Sequence, residues 1–432
     1  MSEPHYNPPR GMRDIVGEEA ELYEHLFSEF KSAARRHGFM PVITPTVEYF
    51  TLFEAKSGEE IKRSMYVFED KGGRLLALRP EVTASVVRAY LKSLRSLPKP
   101  IKVYYVSQCF RYEEPQHARY REFWQGGLEV IGEQDINADL LVAIAASDFL
   151  DRVGVNHLYE VGNVSIYRGF MRKLEVSGEL QDYILHLIDK DQVDAAISKL
   201  REVAGERGAE IFKSLLSTKD LDRVEGFIAD YGDLLGELRE IILTEHARTR
   251  GFIDTLREIG YSAEYEPKLV RGLAYYTGLI FEYKVTGTQA LPSIGGGGRY
   301  DGLTEVYSGT FEYSTGLALG IDRVALALSG RPLPQTGKYV VVLILGDAPL
   351  HVGYRALKAI VKGTNVNGYV YRARSLSRGL EHVNKAGCEL AVIIGERELK
   401  GNSVIIKNMK TGEQVQVSLG SILEAVKNMI SS

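Results

Sequence analysis

Residues 101–131 hold two strand-length apolar runs on either side of a loop dense in charge, and this restricts the fold more than any other stretch of the chain. The first run is Ile101-Lys-Val-Tyr-Tyr-Val-Ser-Gln-Cys-Phe110 and the second is Phe123-Trp-Gln-Gly-Gly-Leu-Glu-Val-Ile131. β-Branched and aromatic runs of this length predict two antiparallel strands joined by their loop. Strand side chains alternate between faces, so Phe123, Gln125, Gly127 and Glu129 share one, and Arg111 and Glu113 point the same way as each other. A face carrying Gln, Glu and a side-chain-free Gly suits a pocket for a polar ligand better than a dry core. The loop carries Arg111, Arg119 and Arg121. Guanidinium groups offer fixed paired donors that suit phosphate. By itself the segment reads more simply as a solvated hairpin with a charged tip.

At 432 residues the chain is too long for one core, and two or three domains are expected. No apolar run is long enough to span a bilayer, and the first residues lack the apolar centre of a secretory signal, so no membrane partner is expected. The two cysteines, Cys109 and Cys388, lie in separate predicted domains. That excludes a disulfide framework and points to a reducing, cytoplasmic setting. No Cys/His cluster has zinc-ligand spacing, so no metal held by dedicated protein ligands is expected. Charge is unevenly distributed: residues 351–410 hold 11 Lys+Arg against 4 Asp+Glu, which leaves 42 against 53 elsewhere. A basic C-terminal module on an acidic body suits a polyanion docked at one end.

Along the chain, Leu22, Leu26, Phe30 and Ala33 predict a helix over Glu19–His37 that Gly38 stops. A strand is expected from Met40 to Phe50, at an edge or boundary because of its prolines. A hairpin is expected from Tyr66 to Leu78, turning at Asp70–Gly73, followed by helices to about Arg95 and over Asn137–Val153. Residues 171–259 contain no convincing strand and keep helical spacing, which reads as an insertion between two β-rich regions. Strands are expected again at Ser262–Val270, Tyr276–Val285 and Thr315–Leu319. A Pro/Gly-rich linker (329–338) then precedes alternating strands and helices, a βαβ pattern with a mostly parallel sheet.

Three further segments carry chemistry. Glu81 and Thr83, at a strand-to-helix junction, suit either a ligand ammonium or a helix cap. Arg271, Tyr275 and Tyr276 suit an anion beside an aromatic wall, or cross-strand ring packing. Gly295-Gly-Gly-Gly-Arg-Tyr-Asp-Gly302 is expected to be a tight turn with close backbone approach. It does not fit the dinucleotide fingerprint, and no Walker-type lysine motif occurs. Arg323 is expected in a helix's first turn, which favours phosphate.

Taken in order, these segments resemble the class II aminoacyl-tRNA synthetases, and histidyl-tRNA synthetases in particular. Residues up to Pro45 are similar to motif 1, Phe110 to Glu129 to motif 2, and Gly316 to Arg323 to motif 3. Arg271-Gly-Leu-Ala-Tyr-Tyr276 and Gly297-Gly-Arg-Tyr-Asp301 resemble the two histidine signatures. The first signature commonly has Asp where Ala274 stands. The resemblance covers nearly the whole chain. It implies an α+β fold: a class II antiparallel-sheet catalytic core with a helical insertion, plus a C-terminal α/β anticodon-binding domain. The implied boundaries are 1–170 and 260–328 for the core, 171–259 for the insertion, 329–338 for the linker and 339–432 for the anticodon module.

The implied reaction joins histidine to ATP and passes histidine to tRNA(His), in a homodimer, with Mg2+ accompanying ATP. By resemblance, Arg111 and Arg271 meet the α-phosphate and the substrate carboxylate, while Arg119 and Arg323 meet the departing phosphates. Glu113 and Phe123 take adenine. Glu81, Thr83 and Gln125 take the substrate ammonium. Glu129 and Tyr276 read the imidazole, with Tyr275 and Tyr300 in the same pocket. Gln116 and Arg121 at the loop face the tRNA acceptor end, and Arg372, Arg374 and Arg378 are candidate anticodon contacts or ordinary exposed charges. Two other resemblances are the regulatory subunit of ATP phosphoribosyltransferase, which lacks the anticodon module, and the synthetase-like regulatory domain of a stress-sensing translation kinase, which would bring kinase signatures. The synthetases for proline, threonine or glycine would lack the Glu129 and Arg271-to-Tyr276 constellation.

Overall fold

A computed structural model describes residues 6–54, 63–114, 119–231, 235–270, 275–287, 293–331 and 339–431. The chain folds as two units, Met1–Arg331 and Pro332–Ser432. Within the first unit, β1 (Met40–Pro41), β2 (Val47–Tyr49), β3 (Val67–Glu69), β4 (Leu75–Leu78), β5 (Ile101–Phe110) and β6 (Glu122–Ile131) come before β7 (His157–Asn163). After a long helical stretch follow β8 (Ala263–Tyr265), β9 (Leu279–Val285), β10 (Gly295–Arg299) and β11 (Ser314–Gly320). Eight of these form one sheet in the order β1-β5-β6-β11-β10-β9-β7-β8, and β2, β4 and β3 form a small separate sheet. The large sheet is antiparallel except where β1 meets β5 and β8 meets β7.

The expected hairpin is the centre of this sheet, in a register that pairs Cys109 with Phe123 and Val103 with Glu129. Alternation sorts the two faces of β6. Trp124 and Gly126 face helices: Phe27 lies 4.6 Å from the Trp124 ring, and a methyl on Gly126 would come within 3.0 Å of Phe30. Those phenylalanines belong to the helix Glu18–Arg36, whose Leu22, Leu26, Phe30 and Ala33 repeat at helical spacing and are buried. Burial of a residue such as Phe30 is worth about 1.5–3 kcal/mol. The helix ends where expected, at Gly38, whose φ of +79° suits a residue without a side chain. The helix Ile136–Arg152 covers the same side, with Phe149 5.3 Å from Phe30. The other face of the sheet is left for the cleft described below.

Three expectations need correction. The strand expected from Met40 to Phe50 is broken into β1 and β2, because Pro41 and Pro45 cannot donate to a ladder and Phe50 already begins the short helix Phe50–Glu54. Strand structure in Ser262–Val270 is confined to β8, and Pro267 follows it closely. The run Gly295–Arg299 is not a turn but a full strand, paired with β9 on one side and β11 on the other. A β-carbon on Gly297 would lie 2.0 Å from the Gly316 carbonyl oxygen and 2.6 Å from Leu317 Cα, so its neighbours leave space for hydrogen alone.

From Val164 to Glu258 the described residues form helices joined by short turns and no strand, with helices that include Gly178–Asp189, Val193–Ser217 and Leu238–Glu258. In the second unit β12 (Tyr339–Leu345) lies between β13 (Asn367–Ala373) and β14 (Leu390–Ile394), all parallel. β15 (Ser403–Asn408) and β16 (Gln414–Ser418) then continue the sheet antiparallel. Val340, Val342 and Ile344 join a core with Ile360 and Val426. Val341 and Leu343 join another with Val383 and Ile393. Both faces of β12 are therefore buried, which accounts for its unbroken apolar run.

Candidate active site

The register of the large sheet sets five residues in a row across its open face: Tyr105, Gly127, Ala318, Gly296 and Glu282. The three middle residues are small, and the row sinks into a trough at Ala318 and Gly296. A cleft of about 340 Å³ lies above it. The glycine run thus serves the site as a low strand and not as a loop. Gly127 does not leave room for a ligand as its position in the sequence implied. The Tyr105 ring fills that space, and a Gly127 β-carbon would be 2.3 Å from the Tyr105 hydroxyl oxygen.

One end of the cleft is built on carboxylates and hydroxyls. Glu129 is completely buried beneath the floor. Thr83 donates to its Oε1 at 2.8 Å and Tyr300 to its Oε2 at 2.6 Å. Gly316 stands opposite on β11, and a β-carbon there would fall 1.7 Å from Glu129 Oε2, so glycine is needed to admit the carboxylate. Burial pushes the Glu129 carboxyl up to about 8, and the hydroxyl donors only partly counter it. Burial also raises Glu81, whose carboxylate accepts from the Ala84 N–H at 3.2 Å. The helix Thr83–Ala89 thus has Glu81 at its start, and the same side chain lines the cleft. The cap and ligand readings of Glu81 are therefore compatible. Gln125 accepts from the Cys109 thiol at 3.2 Å, and Tyr275 sets its ring 5.9 Å from Tyr300 and 5.1 Å from Tyr276.

Arginines line the rest. Arg111 donates through Nε to the Pro80 carbonyl at 2.9 Å and lies 5.3 Å from the Phe123 ring centroid. Arg119 and Glu113 also line the cleft. Arg323, in the short helix Ile321–Ala327, donates to the Ser293 carbonyl at 2.6 Å just before β10. Arg121 corrects the expectation made for it. It is buried, donates to the Glu113 and Arg10 carbonyls at 3.0 and 3.3 Å, and covers the Tyr112 ring at 3.9 Å, so it braces the loop from behind. Arg271 and Gln116 lie outside the described residues.

Several lining residues had no place in the sequence reading. Glu282 ends the small-residue row; its one signal was a carboxylate between Phe281 and Tyr283 in an apolar strand. Asp189 and Lys190, from the end of the helix Gly178–Asp189, also line the cleft and carried no sequence signal. Arg299, inside the second signature, turns away from the cleft. It is fully buried, with its guanidinium on Asp139 at 2.9 Å and on the Asp135 and Glu133 carbonyls. In the second unit Arg372, Arg374 and Arg378 are all exposed, and Arg372 also donates to the Gly346 and Ala348 carbonyls. Among the described residues no helix is long and apolar enough to cross a membrane.

Residues 11–324 match the family model for histidyl-tRNA synthetase, and residues 340–429 match that for an anticodon binding domain. The chain is 36% identical over 429 residues to the histidine–tRNA ligase of Saccharolobus solfataricus, covering 98% of both chains. A Saccharolobus islandicus ligase is similar to the same degree over 432 residues. Among solved structures, a histidyl-tRNA synthetase from Nostoc shares the fold with a TM-score of 0.78 at 22% identity, over 99% of this chain and 100% of that one. A Bacillus halodurans protein described as an ATP phosphoribosyltransferase regulatory subunit/histidyl-tRNA synthetase follows at 0.74 and 21%, over 91% and 99%.

Proposed function

The chain belongs to the histidyl-tRNA synthetase family, the class II enzymes that use ATP, histidine and tRNA, and on that premise we propose how its cleft carries the reaction. Histidine and ATP give histidyl-adenylate and pyrophosphate, and the histidyl group then passes to the 3′ end of tRNA(His) with release of AMP. The observation that carries this reading is that one cleft joins a carboxylate–hydroxyl end, with Glu129 beneath it, to an arginine-lined remainder.

The substrate carboxylate is already an anion at neutral pH, so attack at the α-phosphorus needs alignment and charge stabilisation rather than a general base. Arg111, joined by Arg271, supplies positive charge there, and Arg119 and Arg323 neutralise the departing phosphates. Phe123, which already carries the Arg111 guanidinium near its face, stacks on adenine, and Glu113 accepts from its amino group. Glu81, Thr83 and Gln125 take the histidine ammonium. Glu129 and Tyr276 read the imidazole, and Tyr300 and Thr83 hold the Glu129 oxygens. A Mg2+ ion would travel with ATP and neutralise phosphate charge. Glu282, whose carboxylate lines the cleft, offers the oxygen that suits such a hard cation.

A homodimer is supported by the small sheet, where Tyr49, Val67, Phe68 and Leu75 are exposed apolar side chains beside the motif 1 segment. The second unit takes the anticodon arm, with Arg374 and Arg378 available to it, and the protein works in the cytoplasm. A purely regulatory role, in the manner of a phosphoribosyltransferase subunit, is disfavoured by the anticodon-domain match. Pyrophosphate exchange measured with each of the twenty amino acids tests the reading. Exchange with histidine alone is expected, and equal exchange with another amino acid, or none with histidine, would defeat it.

A further inference from the structure

Ahead of the first helix, a strap of residues runs against the base of the β5–β6 loop. The Arg121 N–H donates to the Gly11 carbonyl at 2.8 Å, Arg121 also reaches the Arg10 carbonyl, and Arg10 pairs with Glu114 at 2.7 Å. Arg13 is the centre of the strap. One of its nitrogens pairs with Glu19, and the other donates to the Tyr23 hydroxyl at 2.6 Å and lies 3.5 Å from Asp322 Oδ1. The guanidinium also sits 4.4 Å from the centroid of the Tyr120 ring. Asp322 is locked from both sides: Tyr23 donates to Oδ1 and the Trp124 N–H to Oδ2, each at 2.7 Å. Tyr120 and Asp322 both line the cleft.

Tyr120 directly follows Arg119 in the chain, and Asp322 directly precedes Arg323. One guanidinium thus touches both segments that bring an arginine to the phosphate end, although those segments lie about two hundred residues apart. We infer that Arg13 is a positioning residue for the phosphates of ATP: it couples the loop bearing Arg119 to the helix bearing Arg323, so that both meet the phosphates in a preset geometry. This rests on the assignment of the cleft to ATP. Arginine suits the task because its plane can stack on a ring while its edge bonds a hydroxyl and a carboxylate. Lysine offers charge without the fork.

The test is steady-state pyrophosphate exchange with wild type, Arg13→Met and Arg13→Lys, recording KM for ATP and for histidine separately. Arg13→Met is expected to raise the ATP KM by about 5- to 10-fold and to leave the histidine KM within about two-fold. Arg13→Lys, which keeps charge but not the stack, should fall between. An unchanged ATP KM overturns the inference. So does a parallel rise in both KM values, which is what a purely structural loss would give. Should Arg13→Met fail to fold, Tyr120→Leu removes the stacking surface from a half-buried site. It should raise the ATP KM selectively, and an unmoved value would again overturn the inference. Wild-type protein without histidine-dependent exchange would defeat the assignment of the cleft. An active wild type with insensitive variants would defeat only the role of Arg13.

Discussion

Glu129→Gln probes the deepest part of the site. Ligand-free Glu129 sits where burial raises its carboxyl to about 8, so at pH 7 about one molecule in ten carries the charge. A neutral imidazole offers one N–H, and the ionised carboxylate has lone pairs left after Thr83 and Tyr300 are served. If the ionised form is the one that binds, the histidine KM at pH 7 stands about ten-fold above its value at pH 9. The amide keeps the shape but has one acceptor oxygen for two hydroxyls and an imidazole. Loss of a charge-assisted hydrogen bond costs about 1.5–3 kcal/mol, or roughly 10- to 150-fold in histidine KM. The ATP KM should move less than about two-fold. The assay is pyrophosphate exchange from pH 6 to 9 with wild type and variant side by side, so that the titrations of histidine itself cancel. The same shift sets a sign for stability. The protonated carboxyl contributes fully below its ordinary value of 4.5, and that contribution is lost as pH rises through about 8. The ligand-free denaturation midpoint should therefore fall between about pH 5 and 8 in wild type and fall less in the variant. A wild-type histidine KM that matches the variant's pH profile, or an equal loss for ATP and histidine, would refute the reasoning.

Arg271→Ala should lower adenylate formation by about 10²- to 10³-fold with the fold intact, and near-normal exchange would remove its assigned role. A chain ending at Gly330, near the end of the first unit, should exchange pyrophosphate within about two-fold of wild type and charge tRNA about 10²-fold less well. Undiminished charging would refute the assignment of the second unit. Gly297→Ala would press a methyl to 2.0 Å from the Gly316 carbonyl oxygen and 2.6 Å from Leu317 Cα, both in the backbone of β11. A loss of about 3 kcal/mol or more in denaturant unfolding is expected, and a change below about 1 kcal/mol would contradict the strand packing.

Much of the site could be read along the chain because it lies on strands with strict alternation. Once Phe123–Ile131 is a strand, Gln125 and Glu129 must share a face, and β6 carries them so. The arginines of the loop were harder. Arg119 and Arg121 are two residues apart and chemically alike, yet one lines the cleft and the other is buried behind it. Which one turns inward depends on carbonyls offered by residues 10 and 113, and spacing does not reveal that. The glycine run was misread for a related reason. Glycine has no side chain to report a period of two, so a strand made of it looks like a turn until its neighbours are placed on both sides.

The succession of elements, the apolar helix face at Leu22, Leu26 and Phe30, the central hairpin, and the residue types needed for phosphate and imidazole follow from the order of side chains alone, since local periodicity and chemistry are properties of short segments. Tertiary structure decided what depends on distance through space. It made a trough from Ala318 and Gly296, which come from two strands, and it buried Glu129 deeply enough to hold a proton near neutrality. It also brought Asp189, Lys190, Glu282 and the Arg13 strap to a cleft otherwise built from distant parts of the chain. Burial and cross-strand register arise only when segments far apart in sequence meet, and for that reason the list of groups was legible early while their depth, charge state and neighbours were not.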